Sequence, residues 1–168
     1  GKIVGKLQAV DSPKGPAAQF DGKSYIEVPM SKVLNPARSP MTIEVTLRAS
    51  ADGVVVARGG QTLGFLIEIR EGKPIFAYRG PEGVSRAEGS DSILGDWVNL
   101  KATLSNDLQM KIFVDDKQVG ITKAKGLIPR NPNDGLQIGS DSGSPVVNKD
   151  SANFQGEIHR VRIFHGSL

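Results

Sequence analysis

Paired carboxylates are the first chemistry to look for in this chain. A retaining glycosidase holds two of them roughly 5 Å apart, one as nucleophile and one as acid/base. The closest stretch is Glu68-Ile69-Arg70-Glu71. Its acids are three positions apart, so on a regular strand they point to opposite faces. Glu71 also falls in a turn signal. A hydrolase triad is no better supported. His159 and His165 are the only histidines, both in the last apolar run, and the sequence has no Gly-x-Ser-x-Gly elbow. With no cysteine, disulfides, thiolate metal sites and cysteine nucleophiles are excluded. No catalytic residue is assigned.

Binding chemistry has more candidates. Sugar recognition needs an apolar ring platform and converging polar groups. Trp97 is the sole tryptophan, and it precedes an alternating run on the face opposite the apolar residues. Tyr78, in Phe76-Ala77-Tyr78-Arg79, shares a face with Phe76. Arg48, Arg58, Glu68 and Lys101 stand on the polar sides of four runs. In one groove, Arg and Lys would pair with carboxylates or sulfates of an anionic polysaccharide. Each has a plainer role: packing for the aromatics, and a solvated sheet face for the charges. Calcium needs six to eight oxygens. Asp21 is the first candidate ligand, with Asp141 and Glu157 approaching it if the first and last strands are neighbours. Asp21 reads more simply as a turn residue. The expected cofactor set is therefore empty apart from a structural calcium.

The elements that position these residues read as strands. In 42–48, Ile43, Val45 and Leu47 alternate with Thr42, Glu44, Thr46 and Arg48, the period-two pattern of a half-buried strand. The runs 65–70, 98–104 and 110–115 behave alike. About eleven such runs are separated by turn signals such as Asp21-Gly22, Glu71-Gly72 and Asp115-Asp116. Ile158, Val161 and Ile163 do not keep one parity, which predicts a bulge near His159. No helical period intervenes. Residues 31–40 and 141–153 read as long loops.

Composition fits this picture. The 168 residues are 38% hydrophobic and 23% charged, as in a globular domain and unlike a disordered chain. They suit a single domain over 1–168. The net charge of +3 is spread out, with no basic block for nucleic acid. No apolar run reaches the 18 or so residues of a membrane span. The chain starts at Gly1 rather than Met, which reads as excision from a longer protein, and no signal peptide is visible.

Several segments, in order, carry a resemblance. AAQFDGKSYIEVP at 17–29, MTIEVTLRAS at 41–50 and GDWVNLKATLSNDLQMKIFVDDKQVG at 95–120 resemble laminin-G-like domains of the concanavalin A-like lectin/glucanase superfamily. So do GLQIGSDSG at 135–143 and FQGEIHRVRIFHGSL at 154–168. The resemblance implies an all-β, two-sheet antiparallel jelly-roll sandwich. It also implies an extracellular, periplasmic or cell-surface, non-catalytic carbohydrate-binding or adhesive module beside a catalytic domain such as a glycoside hydrolase or sulfatase. The alternatives are a structural or protein-interaction module and an atypical hydrolase. There are departures from the family pattern. His-His after the tryptophan becomes Val98-Asn99, and the hairpin glycine becomes Asp116. An acidic pair that helps hold calcium in some relatives becomes His159-Arg160, which weakens the metal expectation.

Overall fold

The structure, a computed structural model, describes residues 1–147 and 150–166. Asn148 and Lys149 of the expected 141–153 loop, and Ser167 and Leu168 after the closing strand, lie outside the described residues. The described strands are β1 (Lys2–Val4), β2 (Gln8–Ser12), β3 (Gly15–Asp21), β4 (Tyr25–Val28), β5 (Met41–Ala49), β6 (Gly53–Gly59) and β7 (Gly64–Arg70). They continue as β8 (Lys73–Gly80), β9 (Gly83–Glu88), β10 (Trp97–Leu104), β11 (Gln109–Val114), β12 (Lys117–Lys123), β13 (Leu136–Ile138) and β14 (Gln155–His165). A 3-10 turn at Lys32–Leu34 interrupts the expected loop at 31–40.

The strands form two antiparallel sheets. The first runs β1-β4-β13-β6-β7-β8-β9, the second β12-β11-β10-β5-β14-β3-β2. The apolar parities seen in the sequence meet between them. Ile43, Val45 and Leu47 of β5 and Val98, Leu100 and Ala102 of β10 share a core with Phe65 and Ile67 of β7 and Phe76 and Tyr78 of β8. Burying each such side chain contributes about 1.5–3 kcal/mol. Hairpin chemistry sets the register. Asp115 and Asp116, at φ 46° and 65°, turn β11 into β12, and Glu71 and Gly72, at 52° and 74°, turn β7 into β8. Left-handed φ at both central residues matches the right-handed strand twist.

The two sheets differ on their outer faces. On the first, Val54, Ala57, Leu66, Ile75 and Ala77 form a second apolar cluster with Val146. The segment after β13 folds back over this face. Asp141 Oδ2 accepts the Val146 amide at 2.7 Å, and the Arg79 Nε donates to the Val146 carbonyl. A face expected to meet water is therefore covered. The outer face of the second sheet instead carries charged and hydroxyl side chains along β5, β10 and β14. Among the described residues, no helix is long and apolar enough to cross a membrane.

Candidate functional site

The open face of the second sheet is a grid built by strand register. Arg48 of β5 pairs with Trp97 of β10 and Glu157 of β14. One step along, Thr46 pairs with Asn99 and Arg160. In the next row, Glu44 pairs with Lys101 and Arg162. Nine side chains thus occupy three rungs on one face.

The grid depends on a β-bulge. The β14–β5 register shifts between Ile158, opposite Leu47, and Arg160, opposite Thr46. His159 is the extra residue, and its Nδ1 lies 2.8 Å from the Pro16 carbonyl oxygen. One inserted residue reverses side-chain parity. Glu157 lies on the open face before the bulge, and Arg160 and Arg162 lie on it after. Beside Glu157, Gly156 adopts φ 138°, and a Cβ there would collide with the Arg48 carbonyl oxygen. Glycine is thus required for β14 to approach β5 so closely.

Charges on the face are largely paired. Arg48 meets Glu157 at 2.7 Å, Lys101 meets Asp116 at 3.0 Å, and Arg162 meets Glu44 at 3.7 Å. Arg160 is exposed and has no acidic partner among the described residues. The Thr46 hydroxyl donates to Asn99 Oδ1 at 2.8 Å, and the Asn99 backbone N–H donates to Asp115 at 2.9 Å, which fixes the asparagine. Between these residues lies a cleft of about 190 Å³, lined by Thr46, Asn99, Lys101, Arg160 and Arg162 together with the carboxylates of Glu44 and Asp116. Arg48 lies over the Trp97 ring, 5.9 Å from its centroid, and Lys101 lies 5.0 Å from that of Phe113. Such cation–ring contacts hold long side chains in place.

Of the six residues expected to bind a ligand, Arg48, Trp97 and Lys101 come together here. Arg58, Glu68 and Tyr78 do not join them, because β6, β7 and β8 belong to the first sheet. The expected shared groove is corrected on that ground. Arg58 is 1% exposed and pairs with Phe65 of the core; its Nη2 donates to Asn131, while Nε and Nη1 lack acceptors among the described residues. Burial lowers its pKa. Tyr78 does share a face with Phe76, but that face is the core; its hydroxyl accepts the Ile128 amide at 2.7 Å, and burial raises its pKa to about 12. Glu68 is 2% exposed beneath the folded-back segment, with Oε2 accepting from Arg70 and Ser151.

The three expected metal ligands also separate. Asp21 and Glu157 lie on the paired strands β3 and β14, whereas Asp141 follows β13 and turns across the other sheet. Each carboxylate already has a partner. Asp21 Oδ1 accepts the Lys23 and Ser24 amides, which lower its pKa. Glu157 meets Arg48, and Asp141 meets the Val146 amide. No group of three or more His, Asp or Glu side chains among the described residues is placed to hold a metal, so this trio does not fit calcium.

The sequence reading missed Arg160 and Arg162. The signal was present as the parity break at Ile158, Val161 and Ile163, which predicted the bulge but was not followed to the residues it turns outward.

A family model described as the concanavalin A-like lectin/glucanases superfamily matches residues 20–168. A search of the curated proteins found no match. Among solved structures, the fold resembles domains LG4-5 of the mouse laminin alpha1 chain, with a TM-score of 0.74 and 17% identity over 94% of this chain and 41% of that one. The binding domain of botulinum neurotoxin serotype G superposes with a TM-score of 0.77 at 12% identity, over 99% of this chain and 44% of that one. Domain 4 of AbnA, a GH43 extracellular arabinanase from Geobacillus stearothermophilus solved with arabinotriose, gives 0.73 at 17%, over 98% and 78%. At these identities the likeness is one of fold. The chain spans less than half the length of the laminin and neurotoxin structures it matches.

Proposed function

The chain belongs to the concanavalin A-like lectin/glucanases superfamily, and from that premise we propose that it is a non-catalytic carbohydrate-binding module for acidic glycans. The reading rests on one observation. Arg160, without an acidic partner among the described residues, projects beside Thr46, Asn99, Lys101 and Arg162 on an exposed face. A guanidinium binds carboxylate or sulfate through paired, charge-assisted hydrogen bonds. Thr46 and Asn99 offer polar groups of the size that meets sugar hydroxyls. The two carboxylates that line the cleft, Glu44 and Asp116, are each held by a cation. The neighbouring structures support a binding role, since they are largely binding domains and one was solved with arabinotriose.

A module of this kind works best beside a catalytic or adhesive partner in a longer chain, where binding raises the local substrate concentration. A polysaccharide ligand places that work outside the cell, as for the extracellular arabinanase.

Affinity electrophoresis through polygalacturonate and through neutral galactan tests the reading. Retardation by polygalacturonate is expected, weakening as salt screens the contacts. Arg160→Ala is expected to weaken it about tenfold, as for the loss of one charge-assisted contact. Equal mobility in both gels, or no effect of Arg160→Ala, counts against it.

A further inference from the structure

A second cavity lies at the end of the sandwich, where β8, β10, β11 and β12 meet the segment before β10. Its volume is about 470 Å³, more than twice that of the basic cleft. Trp97 forms an aromatic wall, and Ile93 and Val114 give aliphatic surface. Asp91, Asp96 and Asp115 border it against one cation, Lys117. It is thus acidic, on a chain whose net charge is +3.

Each carboxylate keeps an oxygen that no described donor uses. Asp115 engages Asn99 through Oδ1, Asp91 engages Ser90 through Oδ2, and Asp96 has no hydrogen-bond partner among the described residues. The buried Trp97 indole N–H also lacks an acceptor among the described residues. Arg48 over the ring holds the indole on the side of the basic face. An aromatic wall, aliphatic surface and a few converging acceptors are what a sugar ring requires: its C–H faces pack on the indole and its hydroxyls donate to carboxylates.

We propose that this cavity is a separate site for an uncharged sugar ring, with Trp97 as its wall and Asp91, Asp96 and Asp115 as hydroxyl acceptors. The three carboxylates turn away uronates and sulfated sugars, the ligands the basic face selects. The inference rests on the reading of the chain as a sugar binder, but none of its four residues borders the basic cleft, although Trp97 and Asp115 adjoin that face, and its charge preference is the opposite.

Trp97 is the sole tryptophan, so its emission reports directly on this wall. The test titrates the whole chain with arabinotriose, cellotriose and mannotriose, and with trigalacturonate, at low and high salt. A saturable emission change with at least one neutral trisaccharide is expected, unaffected by salt. It should be lost in the Asp91→Ala/Asp96→Ala double variant, whose two sites are exposed, and kept in Arg160→Ala. If no neutral trisaccharide changes the emission, or the double variant responds as the wild type does, the second site is overturned. A response confined to trigalacturonate and abolished by Arg160→Ala also overturns it, while leaving the basic face standing. No retardation of the unsubstituted chain by polygalacturonate, with the neutral response present, would sink the acidic-glycan reading alone.

Discussion

Tyr78 and Asp141 show how single polar groups are used inside this sandwich. Tyr78 is 1% exposed, and its hydroxyl is the acceptor for the Ile128 amide. Tyr78→Phe keeps the ring and strands that amide, so a loss of about 1–3 kcal/mol is expected in chemical denaturation. Asp141 is half-buried, and its pKa is raised to about 6, first by burial and further by the charges of Glu68 and Asp134; the Val146 amide pulls the other way. A carboxyl that holds its proton more tightly folded than unfolded destabilises the fold once ionised. That penalty is absent below the unfolded value of 3.8, grows as pH rises, and is complete above about 6. Wild-type stability should therefore fall between these values relative to Asp141→Asn, whose side-chain oxygen still accepts the Val146 amide. Parallel stability–pH curves for the two proteins would contradict this.

At the scale of elements, the two outer faces owe their difference to the segment after β13 and to the bulge in β14. The first closes its face with Val146, which is fully buried against Leu66 and Ala77. Val146→Ala removes two buried methyl groups and should cost about 2 kcal/mol. Because only the outer cluster is touched, the loss should also appear as faster amide exchange in the segment after β13. The bulge works in the other direction, since a β14 in which His159 were paired regularly would send Arg160 and Arg162 toward the core.

Across the whole molecule, local pattern foretold local structure. The alternation in 42–48 gave the core face of β5, and Glu71-Gly72 and Asp115-Asp116 gave the hairpins. The parity break at Ile158 gave the bulge. That Arg48, Trp97 and Lys101 share one sheet face was legible because neighbouring antiparallel strands carry their polar residues on the same side. Arg58 and Glu68 were misplaced because which sheet a strand joins depends on pairings between distant segments, such as β13 between β4 and β6. Alternation gives a strand two faces, yet it does not say which is covered. Both sides of β7 are buried, although one carries Glu68 and Arg70, because the segment after β13 returns over it. The calcium trio failed for the same reason, with Asp141 drawn to the opposite sheet.

The central claim is that an acidic glycan lies across the grid formed by β5, β10 and β14. Backbone amide shifts from ¹⁵N-labelled chain, titrated with an oligogalacturonate, test it most directly. The shifts should centre on Thr46, Asn99, Lys101, Arg160 and Arg162, and collapse in Arg160→Ala. Shifts confined to the first sheet or to the Trp97 cavity, or none at saturating ligand, would contradict it.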